Sequence, residues 1–142
     1  MNSLIAVAQL CSGTLPEKNL AEAISLIEHA ARSGASLTLL PENFILFDSL
    51  NLVKFGQSDE ARIYLEQLAN LARTLKHWIV LGSFPVPSND GRVYSRSMVI
   101  SAQGEIVDTI SPLPFTTLFI CIVDGIRSDV LKHQSKFVPV FS

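Results

Sequence analysis

The apolar positions along the chain change period several times, and each change marks an element boundary. "SLIAVAQL" (residues 3–10) is an apolar run of strand length, the pattern of a strand covered on both faces. "CSGTLPEKN" follows as a loop, with Pro16 placed to open a helix. Over residues 17–33 the apolar positions Leu20, Ala23, Ile24, Ile27 and Ala31 recur at helical spacing, and Gly34 stands where a helix end favours a residue able to take φ > 0. "ASLTLL" (35–40) predicts a second strand, and "PENFILFDSLNLVKFGQ" a long loop carrying aromatic residues.

Ser58 predicts a helix N-cap, with Asp59 and Glu60 in the first turn favouring the dipole. Tyr64, Leu68, Leu71, Ala72 and Leu75 form one apolar stripe on that helix. "HWIVLGSF" (77–84) predicts a third strand, and "PVPSNDG" a turn-rich connector. "RVYSRSMVIS" and "EIVDTI" around "AQGE" (102–105) predict a hairpin. The order β-α-β-α-β followed by a hairpin predicts an α/β layered fold. No internal repeat or low-complexity tract interrupts it. The last thirty residues have two prolines near their start and no clean period, so no element is predicted there.

Composition narrows the function classes. The chain has 142 residues, 48% hydrophobic and 17% charged, enough apolar content for a real core in one domain or part of one. Eleven basic residues against 13 acidic ones give a net charge of −2 with no basic stripe, which argues against a nucleic acid partner. Cys11 and Cys121 lie far apart and form no CxxC pair, which argues against a zinc site or a disulfide framework and suits a reducing, cytoplasmic setting. "MNSLIAVAQL" has neither a basic n-region nor a cleavage site and is read as the first strand. "LFICIV" is too short to span a bilayer, so no membrane partner is expected. No residue cluster asks for a metal or organic cofactor.

Glu42 is the leading candidate for chemistry. It follows the second predicted strand, and ligand and catalytic groups of α/β sheets gather beyond the carboxyl ends of strands. Pro41 ends the strand and re-aims the chain. A carboxylate there, with apolar walls on one side and a cleft on the other, is expected to have a raised pKa suited to general-base work. The plainer alternative is a surface glutamate capping a loop. Cys121, in "FICIVDG", is read first as a buried small hydrophobe and second as a nucleophile, with Lys132, His133 and Lys136 following it as basic neighbours. Cys11 is read as core or loop packing, His29 and His77 as structural, and Trp78 as core. "GSFPVP" has one glycine where a phosphate loop needs several, which argues against a nucleotide-binding domain.

Taken in order, these pieces resemble the nitrilase superfamily of carbon–nitrogen hydrolases. "IAVAQLCSG" resembles the family's first strand, and "NLAEAISLIEHAARSGASLTLLPENF" its first helix, second strand and catalytic-glutamate motif. "WIVLGSFP" and "GRVYSRSMVISAQGEIVDT" resemble the next strand and hairpin, so the likeness covers residues 4–109. The details lean toward the small-amidase branch, which handles ω-amides and deaminated glutathione. The resemblance implies the N-terminal half of an α-β-β-α four-layer sandwich, a fold that pairs into dimers, so a homo-oligomer or pairing with a homologue is expected. It implies a small amide substrate and a Glu–Lys–Cys triad. In that chemistry a cysteine thiolate attacks the carbonyl carbon, the glutamate takes the thiol proton and delivers it to the leaving ammonia, and lysine steadies the oxyanion. By resemblance, Glu42 is the general base.

The resemblance lapses after the hairpin. Where the family has Tyr-x-Lys-x-His-Leu-Phe, this chain has "LPFTTLF" (113–119), which puts Phe115 in the lysine's place. "DGIRSDVLKHQSKFVP" is family-like again, but "LKHQS" carries no glutamate, and the sequence ends at Ser142 before the segment expected to bring the nucleophile. A local double frameshift followed by an early stop would leave this pattern; an internal deletion that makes "FICIVDGIR" a worn nucleophile segment is the other reading. Ser95 stands where the family commonly has asparagine. The expectation is a single truncated hydrolase domain over residues 1–142, divergent from residue 110, inactive by itself and exposing a sheet face. The alternative is a non-catalytic remnant or interaction module pairing with an intact homologue.

Overall fold

The computed structural model describes residues 4–110 and 136–141. The elements in chain order are β1 (Leu4–Gln9), α1 (Pro16–Arg32), β2 (Ala35–Leu39), α2 (Leu52–Gly56), α3 (Asp59–Leu75), β3 (Trp78–Pro87), β4 (Val93–Ile100), β5 (Ile106–Ile110) and β6 (Lys136–Phe141). They build one mixed sheet in the order β5-β4-β3-β2-β1-β6. β6, β1, β2 and the start of β3 run parallel, while β3, β4 and β5 run antiparallel. The α/β layering predicted from the sequence is present.

Period-two alternation divides the strand residues between two faces. Ala6 and Ala8 of β1, Ile79 and Leu81 of β3, and Met98 and Ile100 of β4 share a buried cluster with the helices. α1 adds Leu20, Ala23, Leu26, Ile27 and Ala30, and α3 adds Ala61, Leu68 and Ala72. The alternate residues Ile5, Leu39 and Val80 form a second cluster, flanked by Leu37 and Val99. The expected open sheet face is therefore not found at these positions: all three residues are buried, and their neighbours on that face pack against them.

The helix boundaries follow local chemistry. Pro16 supplies the first turn of α1, and Gly34 takes φ +88° just past its end. The Ser58 hydroxyl accepts the Ala61 N–H at the start of α3. Between α3 and β3 the buried His77 ring reaches back to β2, its Nε2 2.7 Å from Thr38 Oγ1. Burial is the larger influence on this imidazole and lowers its pKa; a hydrogen bond to the Ala35 backbone opposes the shift.

Four expectations need correction. The loop after β2 contains a short helix, α2, held by buried Phe55, whose ring lies 6.5 Å from Phe84 and 6.1 Å from Tyr64. β3 runs on through Pro85 and Pro87, which had suggested a connector. There it pairs with β4 alone, so the missing proline N–H groups break no ladder to β2. Trp78, expected in the core, is 38% exposed at the start of β3. Residues 136–141, for which no element was predicted, form β6 at the sheet edge beside β1.

Candidate functional site

β1 and β2 are parallel neighbours, so the segments leaving their carboxyl ends emerge together at one end of the sheet. The Leu40 N–H extends the pairing of β2 by donating to the Val80 carbonyl at 2.8 Å. Pro41 then ends the strand, and Glu42 and Asn43 form a turn with Asn43 at φ +55°. Asparagine tolerates this left-handed region better than most residues.

Burial around the turn is asymmetric. Leu39 and Leu40 before it and Phe44, Ile45 and Leu46 after it are buried, whereas Glu42 is exposed. The chain is thus anchored on both sides of one outward carboxylate. Phe44 is the larger anchor, its ring 6.3 Å from that of Phe84. The apolar enclosure expected around the carboxylate is not supplied here, because the turn points Glu42 into solvent and its apolar neighbours into the core.

Polar contacts fix the same segment. The Asn19 side chain, 4% exposed, accepts the Gly13 N–H and donates to the carbonyls of Gly13 and Ile45, each at 2.9 Å. The Ser12 hydroxyl donates to the Phe44 carbonyl at 3.0 Å, and the Phe47 N–H donates to the Gly13 carbonyl at 3.0 Å. The loop after β1 is therefore tied to the loop after β2. From the other side, the Asn43 N–H donates to Ser83 Oγ on β3 at 2.8 Å.

Beside the turn lies a cleft of about 460 Å³ bordered by Thr14, Asn43, Leu46, residues 47–50 and Leu52. Its rim is partly apolar and exposed, with Phe47 at 66% and Leu50 at 91%. Asp48, on the same rim, is held below the usual carboxylate pKa, first by the side-chain hydrogen bond from Asn51 and then by the backbone N–H groups of Asn51 and Leu50.

The other candidates are placed as follows. Cys11 is exposed on the loop after β1, not packed in the core. His29 is exposed in the last turn of α1, and His77 is structural in the manner described above. Ser95 is half-buried on β4 opposite Pro85. Phe115, Cys121, Lys132 and His133 lie outside the described residues, and Lys136 begins β6. Asn19, Asn43, Ser83 and Gly82 escaped sequence reasoning. Only Gly82 carried a signal, since an isolated glycine inside a strand marks a bulge or a close backbone approach.

The sequence model described as carbon-nitrogen hydrolase matches residues 4–111. The chain belongs to the carbon-nitrogen hydrolase family. Among curated relatives, the deaminated glutathione amidase of Bos taurus is 31% identical over 142 residues, covering 96% of this chain and 42% of that protein. The human deaminated glutathione amidase is 30% identical over 112 residues, covering 75% and 34%. The chain thus spans well under half the length of these relatives, and the part it matches is their N-terminal part.

Solved structures agree on the nitrilase fold. An amidase from Nesterenkonia sp. superposes with a TM-score of 0.68 at 21% identity, covering 80% of this chain and 45% of that one. The Caenorhabditis elegans NitFhit protein gives 0.67 at 25% identity, covering 80% and 29%. Among the described residues of this family member, no helix is long and apolar enough to cross a membrane, and no group of His, Cys, Asp and Glu could hold a metal ion.

Proposed function

We propose that this chain carries the general-base portion of an amidase-type site for small amides, with Glu42 as the base, and that the chain as given does not turn amides over by itself. The observation that carries the reading is the outward Glu42 on an anchored turn, at the carboxyl end of a parallel strand and beside a cleft. Its place in "LTLLPENF", within the segment that the family model matches, supports the same role. In that role Glu42 would take the proton of a thiol nucleophile and return it to departing ammonia.

The proposed lack of turnover rests on residue chemistry. By resemblance Phe115 stands where the family has its lysine, and a phenyl ring brings no positive charge to an oxyanion. Triad members act as a unit, so loss of the lysine alone would remove most of the rate enhancement. A second reading, a non-catalytic module that pairs with an intact homologue, draws on the exposed apolar side chains Phe47, Leu50 and Val53 around α2.

The experiment is ammonia release from small amides such as α-ketoglutaramate. The purified chain is expected to release none above background. A chimera carrying residues 4–109 in place of the matching part of an active deaminated glutathione amidase is expected to turn over, and to lose that activity on Glu42→Gln. Turnover by the chain alone, abolished by Glu42→Gln, would overturn the inactivity and return Cys121 as nucleophile. A chimera indifferent to Glu42→Gln would overturn the base assignment.

A further inference from the structure

The register between β3 and β4 slips beside the Glu42 turn. Leu81 faces Met98, but the next pair is Phe84 with Arg96, so Gly82 and Ser83 together oppose the single residue Ser97. This is a β-bulge, a device that bends a strand and re-aims its groups. Ser97 closes it by donating from Oγ to the Gly82 carbonyl at 2.6 Å.

Both bulge residues meet the turn. A Cβ at Gly82 would lie 2.4 Å from the Pro41 carbonyl carbon and 2.6 Å from the Glu42 nitrogen and the Leu40 oxygen. All three are backbone atoms, so only glycine lets β3 come this close. Buried Ser83 accepts the Asn43 N–H at Oγ, at 2.8 Å, and its hydroxyl lies 3.5 Å from Asn43 Oδ1. One residue of the bulge thus forms the floor under Glu42, and the next holds the residue after it in its left-handed conformation.

We propose that the Gly82–Ser83 bulge positions Glu42, with Ser83 as a positioning residue that acts through the Asn43 N–H. The proposal rests on the reading of Glu42 as general base, but its test does not require catalysis. The hydroxyl holds the Asn43 N–H of the turn against β3. Without it the Asn43 N–H loses its partner, and the turn can relax from positive φ and swing the carboxylate.

The test is amide-resolved NMR of the full chain as wild type, Ser83→Ala and Ser83→Thr. Ser83→Ala is expected to speed hydrogen exchange of the Asn43 amide about fivefold, the loss of one tethering hydrogen bond. It should also lower the backbone order parameters of Glu42 and Asn43 from the rigid value of about 0.85 toward about 0.6. Ser83→Thr, which keeps the hydroxyl, is expected to restore both. Unchanged exchange and order at Glu42 and Asn43 in Ser83→Ala would overturn the proposal. So would equal acceleration at Ala6 and Val7 in β1, which would reduce Ser83 to general stability, or a Ser83→Thr variant with a wild-type denaturation midpoint and a loose Asn43. If the turn loosens as expected while the chimera ignores Glu42→Gln, the positioning stands and the base reading falls.

Discussion

The tie between the two site loops passes through Asn19, whose replacement gives a calculable effect. Asn19 makes three hydrogen bonds of 2.9 Å while almost wholly buried. Each is worth about 1 kcal/mol net, and a buried group left without a partner costs about 1–3 kcal/mol. Gly13 is exposed and can rehydrate, but Ile45 is 1% exposed and its carbonyl cannot. Asn19→Ala should therefore cost about 2–3 kcal/mol, which moves a urea midpoint by about 1 M at the slopes usual for small domains. Asn19→Asp has nearly the same shape but sets an ionised oxygen against the two carbonyls that the amide nitrogen had served. Its pKa in the folded state must then rise above the unfolded value of about 3.9. A raised folded-state pKa gives stability that is present below the unfolded value and lost as pH rises through the folded one. The gap between wild type and Asn19→Asp should thus be wide at neutral pH and shrink near pH 3, as followed by circular dichroism in urea. An Asn19→Asp variant as stable as wild type at neutral pH, or a gap independent of pH, would refute the reasoning.

Two more predictions follow from the scaffold. Burial lowers the His77 pKa in the fold, so the unfolded chain binds the proton more readily below about 6.5. Its stability contribution is full above that pH and falls away in milder acid, by up to about 1.4 kcal/mol per pH unit; urea midpoints between pH 8 and 5 should fall more for wild type than for His77→Gln. Ser58→Ala removes the α3 cap and should cost about 1 kcal/mol, a fall in Tm of about 2–4 °C by scanning calorimetry, whereas Ser58→Gly should cost only about a few tenths of a kcal/mol.

The elements legible in the sequence were those whose signals are local and repeated. α1 had Pro16 at its start and Gly34 past its end, α3 had the Ser58 cap, both had long apolar stripes, and each strand on the helix side showed its apolar run. What escaped was set by pairing. α2 is five residues long, too short for a helical period to show, and Phe55 holds it by reaching an aromatic cluster assembled from three elements. Pro85 and Pro87 in β3 suggested a connector; they are tolerated where one side of the strand is unpaired, a fact of topology with no local trace. The turn at Glu42 was legible because a strand ending in proline announces a change of direction. Its supports were not, since Asn19 and Ser83 lie 23 residues before it and 41 after it and become its neighbours only once the sheet forms.

That distribution of support bears on what Glu42 does. Ordering a residue costs about 1–2 kcal/mol of backbone entropy, and a left-handed conformation at Asn43 adds to it. Here the cost is met by buried residues on both sides of the turn, by Asn19 from one direction and by Gly82 and Ser83 from the other. A glutamate that merely covered a surface loop would gain nothing from such restraint, because water would solvate it equally well in many positions. A base that must meet a separate nucleophile within hydrogen-bond reach gains directly, since a misplacement of about 1 Å can cost about a hundredfold in rate. The restraint falls on the backbone of the turn while the carboxylate stays exposed: the place is fixed, and the carboxylate is left open to its partners.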